Sequence, residues 1–125
     1  MPTIVMDLDG TLTRDDATRS YADREPNSAV VEKLREYRAL GFQVAINTAR
    51  NMRTHKQSIG KINAHTLPVI IEWLNRHDIP YDEIYVGKPW ADAGGFYVDD
   101  RAIRPSEFLR LSHAEIVALT QAELA

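Results

Sequence analysis

The chain has no cysteine, which excludes disulfides, thiolate metal sites and a cysteine nucleophile. No apolar run approaches the roughly 20 residues that a membrane-spanning helix needs. No basic region followed by an apolar segment stands at the N-terminus, so no signal peptide is visible and a cytoplasmic location is the default expectation. Positive charge is not in excess either. A net charge of -3 disfavours a general nucleic-acid or anionic-membrane surface. What is present, 44% hydrophobic and 26% charged residues over 125 positions, suits one soluble domain with a real core.

Residues 3–7 (TIVMD) read as a buried parallel strand. The polar, turn-rich stretch 8–26 follows. Asn27 then has the chemistry of a helix N-cap. Val30, Val31, Leu34, Tyr37 and Leu40 share one helical face, and Gly41 supplies the stop. Residues 42–47 (FQVAIN) form a second strand ending at Thr48. Residues 49–65 carry four basic side chains with weak periodicity, and read as a loop or short helix outside the core. Thr66 opens another helix, with Pro68 in its first turn, where the missing N–H costs little. Its apolar face is Leu67, Ile70, Ile71 and Leu74, with Trp73 beside it, and Asp78-Ile79-Pro80 ends it. Residues 83–86 (EIYV) and 95–98 (GFYV) read as third and fourth strands. Ser112 and Glu115 have capping-box spacing before a C-terminal helix. The sum is an α/β chain with a mainly parallel sheet.

The four strands end in Asp7, Thr48, Lys88 and Asp99. In an open parallel sheet all carboxyl ends lie on one edge, where ligands bind. Asp7 and Asp9 would repel each other there, and a divalent cation removes that problem. Oxygen donors without His or Cys suit Mg²⁺. Asp7, the backbone near Asp9, and Asp99 or Asp100 can supply ligands. A carboxylate such as Asp7 can act as a nucleophile that forms an aspartyl phosphate. Asp9 can protonate the leaving oxygen and later take a proton from water. Thr48 offers a hydroxyl, and Lys88 a positive charge, to phosphoryl oxygens.

DLDGTLT, INT, GKP and FYVDD, in that order, resemble the four motifs of the haloacid dehalogenase-like phosphatases. More narrowly, INTARNM, GKIN, IPYDEIYVGKPW and GFYVDDRAIRP resemble the capsular polysaccharide biosynthesis phosphatase branch. The resemblance implies a single Rossmann-like three-layer domain over 1–125, with no separate cap domain. It implies Mg²⁺ and two-step phosphomonoester hydrolysis. Asp7 is then the nucleophile and Asp9 the acid/base; Thr48 and Lys88 bind phosphate; Asp7, Asp9, Asp99 and Asp100 serve the metal. Two departures stand out. Val98 occupies a position where many relatives have glycine. Lys88 also lies closer to the fourth strand than the dozen or more residues of a parallel crossover allow. Lys61 is therefore the reserve phosphate-binding ammonium.

The expected substrate is a small phosphorylated metabolite, with a sugar phosphate of surface-polysaccharide synthesis foremost. A nucleotide or nucleic-acid-end phosphatase is the alternative within the same chemistry. A non-catalytic phosphate-binding module is the alternative of another class. Segments 14–25 and 49–65 are the only candidate lids, and Arg50, Arg53, Lys56 and Lys61 are either a solvated face or an anion-attracting loop. Arg50 and Lys61 are the substrate-binding candidates there. Those loops, a neighbouring subunit or a large substrate must close so open a site, and a homo-oligomer is the favoured arrangement. Trp90 reads as packing or a subunit contact rather than a stacking platform. The four histidines have no ligand-like spacing.

Overall fold

A computed structural model describes residues 2–124. They fall into two compact units that divide between Trp90 and Ala91. The first unit holds β1 (Thr3–Asp7), α1 (Ser28–Ala39), β2 (Gln43–Thr48), a single turn α2 (Ile59–Lys61), α3 (Leu67–Arg76) and β3 (Glu83–Val86). The sheet is parallel, in the order β1-β2-β3. Met6 lies beside Ile46, Asp7 beside Asn47 and Thr48 beside Val86. The expected α/β class with a parallel sheet is therefore present.

The register explains which side chains are inside. Met6, Val44, Ile46 and Thr48 point to one face, and all are buried. Right-handed crossovers place both connecting helices over that face. From α1 come Val30, Val31, Leu34 and Tyr37; from α3 come Ile70, Trp73 and Leu74. Trp73 is not beside the apolar face, as its spacing suggested, but fully buried at its centre. Its indole N–H donates to the Arg24 carbonyl at 2.8 Å, which satisfies the polar end of a large apolar group. Leu40 and Ile71, expected on the buried faces, are exposed. Leu40 occupies the C-cap, where the helix turns away from the sheet. On the opposite sheet face Val5 and Tyr85 are exposed.

Local signals set the helix ends. The Asn27 side chain accepts the Val30 N–H at 3.4 Å, so it caps α1. Gly41 takes φ +99. Its N–H reaches the Arg38 carbonyl, and the Phe42 N–H reaches the Tyr37 carbonyl. The Tyr37 and Phe42 rings meet edge to face at 4.9 Å, completing a Schellman stop. Arg38 pairs with Asp82 (Nη2–Oδ1 2.7 Å), and Asp82 also accepts the Val44 N–H at 2.8 Å. That carboxylate ties α1 and β2 to the entry of β3.

The stretch 49–65 is more structured than its composition suggests. Arg50, Met52 and Ile62 are buried. Ser58 caps α2 through the Lys61 N–H, and a wide helical turn, Ile62–Thr66, runs into α3. The other lid candidate, 14–25, is anchored at its base. Thr13 bridges Pro26 antiparallel, and the Arg14 N–H donates to the Glu25 carbonyl at 2.8 Å.

The second unit contains α4 (Pro105–Arg110) and α5 (His113–Ala122). The Ser112–Glu115 capping box forms as expected. The fourth strand does not: residues 95–98 join no strand, and Phe96, Tyr97 and Val98 are exposed. A strand needs an edge to pair with, and the apolar pattern of GFYV alone does not supply one. Among the described residues no helix is long and apolar enough to cross a membrane.

Candidate active site

The chain leaves β1 through a tight turn, Leu8–Leu12, in which Leu8 and Leu12 are buried. Those two anchors turn the residues between them toward the carboxyl edge. The Thr11 hydroxyl donates to Asp7 Oδ2 at 2.9 Å. The other Asp7 oxygen, Oδ1, lies 3.6 Å from Lys88 Nζ, and the Asp7 side chain keeps 38% of its exposure. Asp7 is thus held on one oxygen and open to solvent.

Lys88 reaches this point because β3 ends beside β2. Its N–H donates to the Thr48 carbonyl at 3.2 Å, which prolongs the ladder by one bond. Gly87 precedes it at φ +86, and a Cβ there would stand 2.4 Å from Ile59 Cδ1. A side chain there would be strained by the backbone, and the tip of Ile59 would have to swing aside. The short connection that cast doubt on Lys88 is no obstacle, because no strand follows it directly. Thr48 is buried, and its Oγ1 accepts the Arg50 N–H at 3.1 Å, leaving the hydroxyl proton to donate.

Asp9 has a different partner from the one its role suggested. Arg50 grips it with Nη2 on Oδ1 at 2.8 Å and Nε on Oδ2 at 3.0 Å. Arg24 approaches the same carboxylate at 3.9 Å. Both guanidinium carbons lie over the Tyr21 ring, Arg50 at 4.2 Å and Arg24 at 4.5 Å from its centroid. Of the two readings of the basic loop, the solvated face does not hold for Arg50. Its side chain is almost wholly buried, and burying a guanidinium is tolerable only against a carboxylate or an aromatic face. Arg24 Nε and Arg50 Nη1 are buried without a hydrogen-bond partner. Sequence reasoning missed Arg24 and Tyr21. They sit in a polar turn with no periodicity, and only the fold brings them to Asp9.

The remaining candidates are exposed. Lys61 is exposed at the end of α2 and makes no ion pair among the described residues. Asp99 and Asp100 belong to the second unit and are exposed. Asp99 Oδ1 accepts the Arg101 N–H at 2.7 Å. Among the described residues no three His, Cys, Asp or Glu side chains gather to hold a metal ion. Of the two β1-end carboxylates Asp7 is the more accessible, 38% against 27% exposed, since Arg50 holds both Asp9 oxygens. Its donor chemistry is all oxygen, which suits Mg²⁺ and not a softer ion, but one carboxylate is short of a full set.

A family model for the haloacid dehalogenase-like hydrolases matches residues 4–75. The chain belongs to the haloacid dehalogenase-like hydrolases. The matched stretch contains Asp7, Asp9, Thr48, Arg50 and Lys61, while Lys88, Asp99 and Asp100 lie beyond it. A crystal structure of a protein from Vibrio cholerae is 54% identical to this haloacid dehalogenase-like hydrolase. The match covers 98% of this chain and 99% of that one, with a TM-score of 0.94. No curated protein matches the chain.

Proposed function

We propose that this hydrolase is a Mg²⁺-dependent phosphomonoesterase working through an aspartyl phosphate on Asp7. The observation that carries the reading is the Asp7–Lys88 approach at the carboxyl edge of the sheet. A half-exposed carboxylate beside an ammonium, with a threonine on the adjacent strand end, offers one nucleophile and two groups for phosphoryl oxygens.

The chemistry divides into two displacements. An Asp7 oxygen forms a bond to phosphorus while the ester P–O bond breaks, and the leaving oxygen takes a proton from Asp9. Water then gives a proton to Asp9 and attacks phosphorus, the Asp7–phosphorus bond breaks, and inorganic phosphate leaves. Lys88 and Thr48 hold the transferring group. Mg²⁺, when bound, supplies positive charge to the phosphoryl oxygens. Asp7, a backbone carbonyl near Asp9, and Asp99 or Asp100 would hold it. Arg50, gripping both Asp9 oxygens, orients that carboxyl toward the site.

The proposed substrate is a sugar phosphate of capsule or surface-polysaccharide synthesis, supported by the INTARNM, GKIN and GFYVDDRAIRP segments. A panel of sugar phosphates, nucleotides and 3′- or 5′-phosphorylated oligonucleotides, assayed with Mg²⁺ and again with EDTA, tests it. Highest kcat/KM on a sugar phosphate, lost with EDTA, is the expected result. Preference for nucleotides or oligonucleotides overturns the substrate class. No Mg²⁺-dependent turnover on any compound overturns the hydrolase reading and leaves a phosphate-binding module.

A further inference from the structure

We propose that two copies of the chain exchange their C-terminal segments, so that residues 95–98 of one copy add as a parallel strand to the outer edge of β1 in the other. Each copy's Asp99 and Asp100 would then complete the site headed by its partner's Asp7. This deepens the phosphatase reading and rests on it for the role of the two aspartates.

Two features motivate the exchange. The first is β1. Among the described residues it is the end strand of the sheet, so one row of its backbone N–H and C=O groups has no ladder there, and its own Val5 is 63% exposed. An open apolar edge of that kind templates pairing with another chain. The second is the segment GFYV. Phe96 is 80% and Val98 88% exposed. Aligning Asp99 with Asp7 sets Tyr97 beside Val5 and Val98 beside Met6, which continues the buried face of the sheet with Phe96 and Val98.

The second unit also has little core of its own. Among its described residues only Phe108 is buried, while Leu109, Val117, Leu119 and Leu124 are exposed. Pieces below about 40 residues without disulfides or metal are rarely stable unless they associate.

The connector decides which copy is the partner. Residues 87–94 join β3 to Gly95. Fully extended at about 3.3–3.6 Å per residue, they reach about 30 Å. A parallel return to their own β1 must cross three strand spacings, run back one strand length, and rise over the sheet and descend, about 40 Å in all. The connector is not extended, either. It makes a turn in which the Gly95 N–H donates to the Asp92 carbonyl at 3.1 Å, with Asp92 at φ +62 and Gly94 at φ +80. An antiparallel run along the chain's own β1 is within reach, but it sends Asp99 and Asp100 to the end of the sheet away from Asp7. Reciprocal exchange between two copies closes with two-fold symmetry and leaves no further edge of β1 open.

The absence of cysteine makes a clean test. Sedimentation of the unaltered chain should give about twice 14.2 kDa. The double variant Val5→Cys with Tyr97→Cys, oxidised at low concentration, should form a disulfide between copies, read as a doubled band on a non-reducing gel. A monomer in sedimentation, a disulfide closed within one chain, or a dimer that forms no such crosslink each overturns the exchange. Activity then tests the shared site. Asp7→Asn and Asp99→Asn/Asp100→Asn, each inactive alone, are co-refolded. Random pairing leaves one intact site in each mixed dimer and should restore about a quarter of wild-type activity. No recovery overturns the shared site. If the unaltered chain hydrolyses no phosphomonoester, the proposed function fails while the crosslink still reports on the exchange.

Discussion

Asp9 and Arg50 form a two-pronged ion pair at 2.8 and 3.0 Å across 41 positions of sequence. The arginine is buried and the aspartate side chain is 27% exposed. The pair fixes the proposed acid/base at the mouth of the site and neutralises the charge beside Asp7. It also makes Arg50 a positioning residue that acts through Asp9.

Arg50→Ala should therefore lower kcat more than it raises KM, with Arg50→Lys recovering part of the loss. A fully buried pair broken on one side costs about 3–5 kcal/mol. Exposure of Asp9 reduces this to about 1–3 kcal/mol, measurable by urea unfolding. A variant whose KM alone changes would return Arg50 to direct substrate binding.

Asp7→Asn keeps the size of the side chain and removes the nucleophile. Turnover should fall by about 10³-fold or more, with the circular dichroism spectrum and melting temperature close to wild type. Retained activity would exclude the aspartyl phosphate.

Lys88→Ala and Lys61→Ala separate the two ammonium candidates. Loss of the group that meets the transition-state charge should cost about 10²–10³ in kcat. Lys88, 3.6 Å from Asp7, is expected to show that loss, and exposed Lys61 to stay near wild type. The reverse result would move the phosphate site to α2.

Gly87→Ala is strained by its positive φ, while the Cδ1 end of the exposed Ile59 side chain can swing aside. It should destabilise by about 1 kcal/mol or somewhat more. Pairing it with Ile59→Ala should leave that loss unchanged, so a thermal-melt double-mutant cycle will show additive effects. Strong coupling would mean that the Ile59 contact, not the backbone, sets the cost.

Asp82 predicts a pH dependence. Its hydrogen bond from Arg38, with that from the Val44 N–H and the charge of Arg38, holds its carboxyl below the usual carboxylate range. The folded state thus binds that proton less readily than the unfolded state. The stabilisation is complete above the ordinary value near 3.9 and disappears as pH falls through the depressed one. The melting temperature of Asp82→Asn should lie below wild type at pH 7, and the two should converge in acid. A constant gap from pH 7 to pH 2 would show that shape, not charge, makes the contribution.

The sequence by itself determined the parallel strands at 3–7 and 83–86 and, to within one residue, the one at 42–47, the Asn27 and Ser112 caps and the Gly41 stop, because these depend on local patterning and backbone chemistry. It also placed Asp7, Thr48 and Lys88 at strand ends, since a parallel sheet delivers its carboxyl ends to one edge. Only the tertiary structure decided that Arg50 is buried against Asp9, that Tyr21 and Arg24 join that pair, and that Trp73 is central. The Asp9–Arg50, Arg50–Tyr21 and Trp73–Arg24 contacts join residues far apart in the chain, and no periodicity encodes them. The fate of GFYV was likewise undecided, because an apolar segment becomes a strand only where an edge is within its reach.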